Sequence, residues 1–375
     1  MKCSLAIPLA AIVLMCAPPT VTDAAIMYTV TNLGNLGGST TFSAGLNDSG
    51  EVTGVTDSLN GSMDFAFLYS SGGMINLGAL LPGVNSEGFS INANGQVAGY
   101  SFSSSAGMQQ AFLYSGGTMT SLGTLPGYLY STARGINASA QITGSAVDGP
   151  ASPASHAYLY SGGAMRDIGT LGGAYSYGYG INDSGQVTGG ADTASGAQHA
   201  FLYSGGAMTD LGTLGGAQSM GIAINAIGQV TGNANDASGD SYAFLYSNGI
   251  MTNLGTLPGY QSSSGAAIND SGAVVGLCMP SSGPGDPVAF LYSNGAMVNL
   301  RSLVNLPSSW NFFAATGIND SGQISVYGTT PQGFDAFLLT PVPEPSTWVL
   351  LALGGLALGR MAISKRRARR PAICA

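Results

Sequence analysis

The sequence predicts an all-β fold, a seven-bladed β-propeller closed by an N-terminal strand. Four short phrases recur in fixed order with a period of about 45 residues. An Asn turn phrase and a Phe-Leu-Tyr phrase each occur seven times, but a Met-x-x-Leu-Gly-x-Leu phrase closes only six units. Its seventh copy precedes the first unit, at residues 28–36. Four short strands repeated at this period are typical of propeller blades.

Each unit begins with a strand rich in small residues that leads into the turn phrase. Gly178 and Gly180 are examples, and small side chains suit the crowded innermost strand of a blade. The turn phrase commonly continues as Asp-Ser-Gly, whose residues favour a hairpin between the first and second strands. The turn residues are Asn47, Asn92, Asn137, Asn182, Asn225, Asn269 and Asn319.

The next phrases predict the second, third and fourth strands. Val or Ile beside Thr, and then alternating aromatic residues, have the composition of strands. Ser115-Gly116-Gly117 is typical of the turn before the fourth strand. The Phe-Leu-Tyr phrases are centred on Leu68, Leu113, Leu159, Leu202, Leu245, Leu291 and Leu338.

The displaced fourth strand favours a closed ring. If residues 28–36 complete the last blade, no sheet edge is left open between the two ends of the repeats. A β-solenoid of about 45-residue repeats, or an array of stacked β-sandwiches, is the alternative. The composition, 45% hydrophobic and 7% charged, fits blades whose two faces are both covered by neighbours.

The N-terminal segment, residues 1–25, predicts a secretory signal peptide. A basic residue, Lys2, precedes an apolar run, and small residues follow. We expect cleavage near Ala24 or Ala25. The repeat region is therefore assigned to residues 26–341, and the protein is predicted to be exported across the inner membrane.

The C-terminal segment, residues 342–375, has three parts in order. A Pro-rich motif at 342–347 precedes an apolar run at 348–363, predicted as a transmembrane helix, and a basic tail at 364–375. The motif residues are Val342, Pro343, Glu344 and Pro345, and the basic tail residues are Lys365, Arg366, Arg367, Arg369 and Arg370. The positive charges predict that the tail is cytoplasmic and the repeats lie outside.

This order of features resembles the PEP-CTERM sorting signal of Gram-negative bacteria. The resemblance implies that an exosortase recognises and cleaves the tail, so that the protein is first anchored in the membrane and then reaches the cell surface or the medium. The alternative is an ordinary membrane anchor. The repeats resemble the HAF family of bacterial extracellular repeats, on His199-Ala200-Phe201 and its variants in the other units. That resemblance implies export and no defined activity.

The charge of the repeat region argues against nucleic acid as a partner, and its cysteine content argues against a disulfide. Between residues 26 and 341 the basic residues are Arg134, Arg166 and Arg301 against 16 acidic ones, which gives a net charge of −13. Such a body repels nucleic acid. Cys278 is the one cysteine in that region, so no intrachain disulfide is expected there.

The sequence predicts no catalytic residues, no metal site and no cofactor. His156 and His199 occupy the same position in consecutive units, which favours two edge residues at the start of a third strand. Asp236 and Asp240 are paired carboxylates at short spacing, on a loop of ordinary composition. The alternative function they leave open is an extracellular polysaccharide lyase or hydrolase.

Calcium is an alternative interpretation of the turn phrases. Asp48, Asp183, Asp270 and Asp320 each follow the turn Asn, but one carboxylate per turn is fewer than calcium usually requires. Capping of the turn is the favoured interpretation.

A propeller would place its connections on two rims. The first-to-second and third-to-fourth turns form one, here called the uniform rim, and the remaining connections form the variable rim. Aromatic residues predicted near the variable rim are candidate glycan-stacking groups, although packing between blades is the alternative. They are Tyr128, Tyr130, Tyr175, Tyr177, Tyr179, Tyr260 and Trp310, with Phe312 and Phe313 beside them. We therefore expect a noncatalytic envelope or matrix protein acting in adhesion or binding of extracellular polysaccharide.

Overall fold

The structure is a computed structural model that describes residues 28–59, 61–103, 107–149, 154–280 and 285–342. It contains seven four-stranded antiparallel sheets arranged as the blades of a propeller, which confirms the predicted fold. The predicted signal peptide, the transmembrane helix and the basic tail lie outside the described residues. In the described part of the chain no helix is long and apolar enough for a membrane span, and the helical structure there is a 3₁₀ turn, Leu300–Leu303.

Each blade follows the order of the sequence phrases from the centre outwards. The innermost strands are β2 (Thr41–Leu46), β6 (Asn85–Ile91), β10 (Tyr130–Ile136), β14 (Gly172–Ile181), β18 (Gly215–Ile224), β22 (Tyr260–Ile268) and β26 (Asn311–Ile318). The second strands are β3 (Val52–Asp57), β7 (Val97–Ser103), β11 (Ile142–Val147), β15 (Val187–Thr193), β19 (Val230–Asp236), β23 (Val274–Pro280) and β27 (Ile324–Thr330).

The third strands carry the Phe-Leu-Tyr phrases, and the outer strands are short. The third strands are β4 (Asp64–Ser70), β8 (Met108–Ser115), β12 (Ser155–Ser161), β16 (Gln198–Ser204), β20 (Ser241–Ser247), β24 (Val288–Ser293) and β28 (Gly333–Pro341). The outer strands are β5 (Gly73–Asn76), β9 (Thr118–Gly123), β13 (Ala164–Asp167), β17 (Ala207–Asp210), β21 (Ile250–Asn253), β25 (Ala296–Asn299) and, for the last blade, β1 (Tyr28–Asn32).

The N-terminal strand closes the ring as predicted. β1 pairs antiparallel with β28, and Tyr28 lies opposite Pro341. The Leu33 amide donates to the carbonyl of Ala336 at 2.9 Å, and the equivalent Leu77 amide donates to Ala66 at 2.9 Å within the first blade. The displaced phrase thus makes in the last blade the bond that its copies make elsewhere. This closure excludes the open solenoid.

The core consists of layers between adjacent blades. Each third strand contributes one aromatic ring that is fully buried. These rings are Phe67, Phe112, Tyr158, Phe201, Phe244, Phe290 and Phe337. One cluster unites Ala336 and Leu338 of the last blade with Val52 and Phe67 of the first, so the layers continue around the ring. Burying each such ring stabilises the fold by about 1.5–3 kcal/mol.

Candidate functional site

Every innermost strand contains a β-bulge at the same position, three residues before the turn Asn. In β2, for example, Ser43 pairs with Gly54 and Gly45 pairs with Thr53, which leaves Ala44 without a partner. A bulge changes the direction of the extra residue's side chain. The seven bulge residues, here called the bulge ring, are Ala44, Phe89, Arg134, Tyr179, Ile222, Ala266 and Thr316.

The bulge ring lines a central cavity of about 320 Å³, here called the chamber. Three consecutive blades contribute the large side chains Phe89, Arg134 and Tyr179 to one wall. The other four blades contribute smaller bulge residues, and the chamber is therefore asymmetric. They are Ala44, Ile222, Ala266 and Thr316. Next to the bulge, glycines allow the inner strands to approach closely: a Cβ on Gly135 would lie 2.8 Å from the carbonyl oxygen of Tyr179.

Arg134 lies against an aromatic stack. Its guanidinium carbon is 4.1 Å from the centroid of the Phe89 ring, a cation–π contact. The Phe89 ring stacks on Tyr100 with centroids 5.5 Å apart and an interplanar angle of 11°. This stack gives one face of the guanidinium a fixed platform.

Glu87 and Tyr100 form a half-buried pair beside this stack. The Tyr100 hydroxyl donates to the Glu87 carboxylate at 3.1 Å. Burial raises the pKa of Glu87, while the hydrogen bond from Tyr100 and the positive charge of Arg134 act in the opposite direction. Burial and the neighbouring Glu87 raise the pKa of Tyr100 to about 12.

The central channel of the propeller contains the chamber and runs to the uniform rim. There it ends in a closed ring of hydrogen bonds. The amide group of each turn Asn donates to the backbone carbonyl of the turn Asn in the next blade, at 2.9–3.2 Å, and Asn319 donates to Asn47. A second cavity of about 270 Å³ lies at this mouth. Aliphatic residues next to the turns line both cavities and lie between them. They are Leu46, Ile91, Ile181, Ile224, Ile268 and Ile318.

The four turn aspartates bond to neighbouring blades. Asp183 accepts from the Ala138 amide at 2.8 Å and Asp270 from the Ala226 amide at 2.9 Å. Asp320 accepts from the backbone of Asp270, and Asp48 from that of Asp320. Within the described ranges, no group of three or more His, Cys, Asp or Glu side chains is arranged to hold a metal ion.

Of the seven candidate aromatic residues, Tyr179 lines the chamber, and each of the seven is partly buried. Five lie on innermost strands rather than on loops, because β14 and β22 begin earlier than the phrases indicate. Tyr128 and Tyr260 pack against inter-blade clusters. Trp310 packs against Phe337, with centroids 5.3 Å apart.

The candidate catalytic residues have local partners. The Asp236 carboxylate accepts from the backbone amides of Ser238 and Asp240, at 2.8 and 3.1 Å, and thereby caps its own turn. His156 contacts Asp167 at 2.6 Å and His199 contacts Asp210 at 2.8 Å, on adjacent blades and partly exposed. The sequence signal for both pairs was the shared spacing of 11 residues, which the search for catalytic groups missed.

Sequence reasoning also missed Phe89 and Arg134 as members of one site. The signal lies in the residues before each turn Asn, where a variable residue stands between small ones, as in Ala133-Arg134-Gly135-Ile136. That variable residue is the bulge residue.

Comparison with known proteins identifies the C-terminal segment. A family model described as the PEP-CTERM protein-sorting motif matches residues 341–367. The chain carries a PEP-CTERM sorting motif. This motif implies an exported protein that is recognised by an exosortase and anchored at the membrane through its C-terminus before processing. The PEP-CTERM motif begins at Pro341, the last residue of β28, and its Pro343-Glu344-Pro345 core lies outside the described residues.

Solved structures share the fold at very low sequence identity. The β-propeller domain of the trilobed protease from Pyrococcus furiosus, described as having an open velcro topology, is 7% identical with a TM-score of 0.51. The match covers 80% of this chain and 96% of that domain. A puromycin-hydrolyzing peptidase of Mycobacterium tuberculosis is 10% identical with a TM-score of 0.54, over 81% of this chain and 51% of the peptidase. No curated protein matched the sequence.

Proposed function

We propose that the protein is a noncatalytic component of the cell envelope or extracellular matrix that binds extracellular polysaccharide through the chamber. The observation that carries the proposal is the asymmetric bulge ring. A repeated fold supplies seven equivalent positions, and large side chains from three consecutive blades, Phe89, Arg134 and Tyr179, form one wall. Aromatic rings with polar neighbours in a concave site are suited to ligand binding.

The positions of the two ends of the repeat region support binding from the variable rim. β1 starts and β28 ends at the uniform rim, where Tyr28 lies opposite Pro341. The PEP-CTERM motif starts there too, so the membrane anchor leaves from the uniform rim. The variable rim, onto which the chamber opens in this proposal, then faces away from the membrane.

The environment of Asp236 supports a noncatalytic function over the alternative of a polysaccharide lyase or hydrolase. Its carboxylate binds two backbone amides of its own turn and holds the loop between β19 and β20. If the alternative were right, purified protein would turn over a polysaccharide, and Asp236→Asn or Asp240→Asn would abolish that turnover. The assignment of the repeats to the HAF family is likewise a proposal, supported by the His-Ala-Phe triplet at His199.

The experiment is a binding measurement on the exported full-length protein, solubilised in detergent where it is still membrane-bound. Extracellular polysaccharides and a glycan array are the ligands. We expect saturable binding that Tyr179→Ala and Phe89→Ala weaken at least tenfold, because both remove a ring from the chamber wall. Tyr130→Ala serves as the matched control for a rim tyrosine outside the chamber. Absence of binding to any glycan, or equal loss in all three variants, contradicts the proposal.

A further inference from the structure

Arg134 is the one charged side chain among the described residues that line the chamber. It is half-buried, and it belongs to a body with a net charge of −13. A guanidinium has five N–H donors, and such donors find acceptors in the protein, in solvent or in a ligand. Among the described residues, its guanidinium makes no hydrogen bond and no ion pair within 4.0 Å.

The contacts of Arg134 hold its side chain in place but do not use the N–H donors of its guanidinium. The guanidinium carbon lies over the Phe89 ring, 4.1 Å from its centroid, and Tyr100 stacks against the same Phe89 ring. A cation–π contact attracts the positive charge to the ring and supplies no oxygen acceptor for the N–H groups. The side chain is therefore positioned with its donors unengaged by the described residues.

Protein carboxylates near the chamber are engaged elsewhere. Glu87 is close enough for the charge of Arg134 to act on it, but its carboxylate accepts a hydrogen bond from Tyr100. The turn aspartates lie at the other mouth of the channel, beyond the aliphatic residues, and bind backbone amides. The guanidinium donors are therefore free to take acceptors from solvent or from a ligand.

We propose that Arg134, supported by Phe89, binds the carboxylate of an acidic sugar residue, a hexuronate, with Tyr179 contacting the sugar ring. The inference rests on the proposed polysaccharide binding and names its substrate class. The planar fork of a guanidinium matches a carboxylate through two parallel hydrogen bonds, and an apolar wall on the same side suits a sugar ring. The cavity of about 320 Å³ is at the small end of ligand sites, so a terminal or protruding sugar unit fits better than a long segment of chain.

The test uses the full-length exported protein in detergent and isothermal titration with four small probes: glucuronate, glucose, glucose 6-phosphate and acetate. We expect glucuronate to bind on the order of 10- to 100-fold more tightly than glucose. Acetate, which lacks the ring, should bind weakly. Arg134→Gln should remove the preference for glucuronate, whereas Arg166→Gln, the same charge change on an exposed outer strand, should keep it.

A second variant keeps the test decisive if Arg134→Gln does not fold. Arg134→Lys retains the charge without the planar fork, so glucuronate should bind more weakly than to wild type but still more tightly than glucose. Equal affinity for glucose and glucuronate, unchanged glucuronate affinity in Arg134→Gln, or tighter binding of glucose 6-phosphate would overturn the inference.

The two proposals can fail separately. Glucuronate binding that depends on Arg134, without binding of any polysaccharide, supports this inference and contradicts the proposed function. Binding of a neutral polysaccharide that Arg134→Gln leaves unchanged supports the proposed function and overturns this inference.

Discussion

At the scale of single residues, one type of side chain both caps the turns and joins the blades. The side-chain oxygen of Asn92, Oδ1, accepts from the backbone amides of Asn94 and Gln96, both at 3.0 Å. Its amide group donates to the Gln96 side chain at 2.8 Å and to the Asn137 carbonyl at 2.9 Å. Both lone pairs of the side-chain oxygen and both N–H groups of the side-chain amide are therefore used.

Asn92→Ala should therefore destabilise the propeller by roughly 2–4 kcal/mol. The variant loses the inter-blade bond and leaves buried backbone groups without partners. Asn94→Ala is the matched control, because Asn94 lies in the same turn, is exposed and also donates to the next blade, at 3.1 Å to Ala138. It should cost less than about 1 kcal/mol. Chemical unfolding of both variants measures the difference, and equal losses would contradict the role of burial.

Asp57 makes stability depend on pH. Burial alone would raise the pKa of its carboxyl, but hydrogen bonds from Thr40 and Ser39 outweigh burial and hold the pKa below its ordinary value of 3.8. The Thr40 amide donates at 2.9 Å and the Ser39 hydroxyl at 3.3 Å. The folded state thus favours the carboxylate, so the stabilisation is present above pH 3.8 and is lost as the pH falls through the lower folded pKa.

Asp57→Asn should remove this contribution. The difference in unfolding free energy between wild type and Asp57→Asn should be largest at neutral pH and shrink as the pH falls from about 5 to about 2. Denaturant titrations across that range measure it. A difference that stays constant, or grows with acidity, would show that the hydrogen bonds do not set the pKa of Asp57.

At the scale of the elements, the second strand of each blade lies unusually close to the first. A Cβ on Gly144 would lie 1.8 Å from the carbonyl oxygen of Thr132 and 2.9 Å from the Tyr158 hydroxyl. That hydroxyl donates to the same Thr132 carbonyl at 2.8 Å. The Gly in the Val-Thr-Gly phrase is therefore required by space, and Gly99 and Gly189 meet a carbonyl oxygen at 1.8–1.9 Å in the same way.

Gly144→Ala should destabilise the protein by at least about 2 kcal/mol, because the added methyl group meets backbone that cannot move without breaking the strand pair. Gly73→Ala is the control: Gly73 begins β5, and its nearest neighbouring atom would be 4.0 Å from the new Cβ. It should change stability by no more than about 0.5 kcal/mol. Thermal unfolding compares the two, and a tolerated Gly144→Ala would contradict the packing.

The strands could be predicted from the sequence, but the bulges could not. Repeated phrases such as the Asn182 turn fix hairpins locally, because turn chemistry acts within a few residues. A bulge depends on the pairing of two strands, and a change of one residue in register reverses which side chains face the core. In the sequence Arg134 is one of three basic residues of the repeats and Tyr179 is a predicted rim residue, and only the pairing of β10 and β14 brings them into one cavity.

At the scale of the whole molecule, the closed ring determines where the chain enters and leaves. The displaced copy at residues 28–36 was sufficient to predict closure. The last unit lacks a fourth strand, and the displaced copy is the segment that can fill that position. Pairing of β1 with β28 brings both ends of the repeat region to the uniform rim. The chamber could not be located in this way, because its members come from separate blades and differ from one another in size and charge.

This arrangement predicts the orientation of the protein before exosortase processing. Five residues separate Val342 from the apolar run that begins at Trp348, so the anchor can start at most about 20 Å from the uniform rim. The membrane should therefore shield the uniform rim more than the variable rim. Ser184, in the turn after β14, and Ser195, in the turn after β15, are exposed and lie on opposite rims of one blade.

Ser184→Cys and Ser195→Cys variants test this orientation in membrane vesicles with their outer face exposed. Replacing Pro343-Glu344-Pro345 by alanines should keep the protein unprocessed. We expect a bulky, membrane-impermeant maleimide to modify Cys at position 195 several times faster than at position 184, because the anchor holds the uniform rim near the lipid. In detergent the two rates should converge, and buried Cys278 should contribute little to either. Equal rates in the membrane, or faster modification at position 184, would contradict a binding face directed away from the cell.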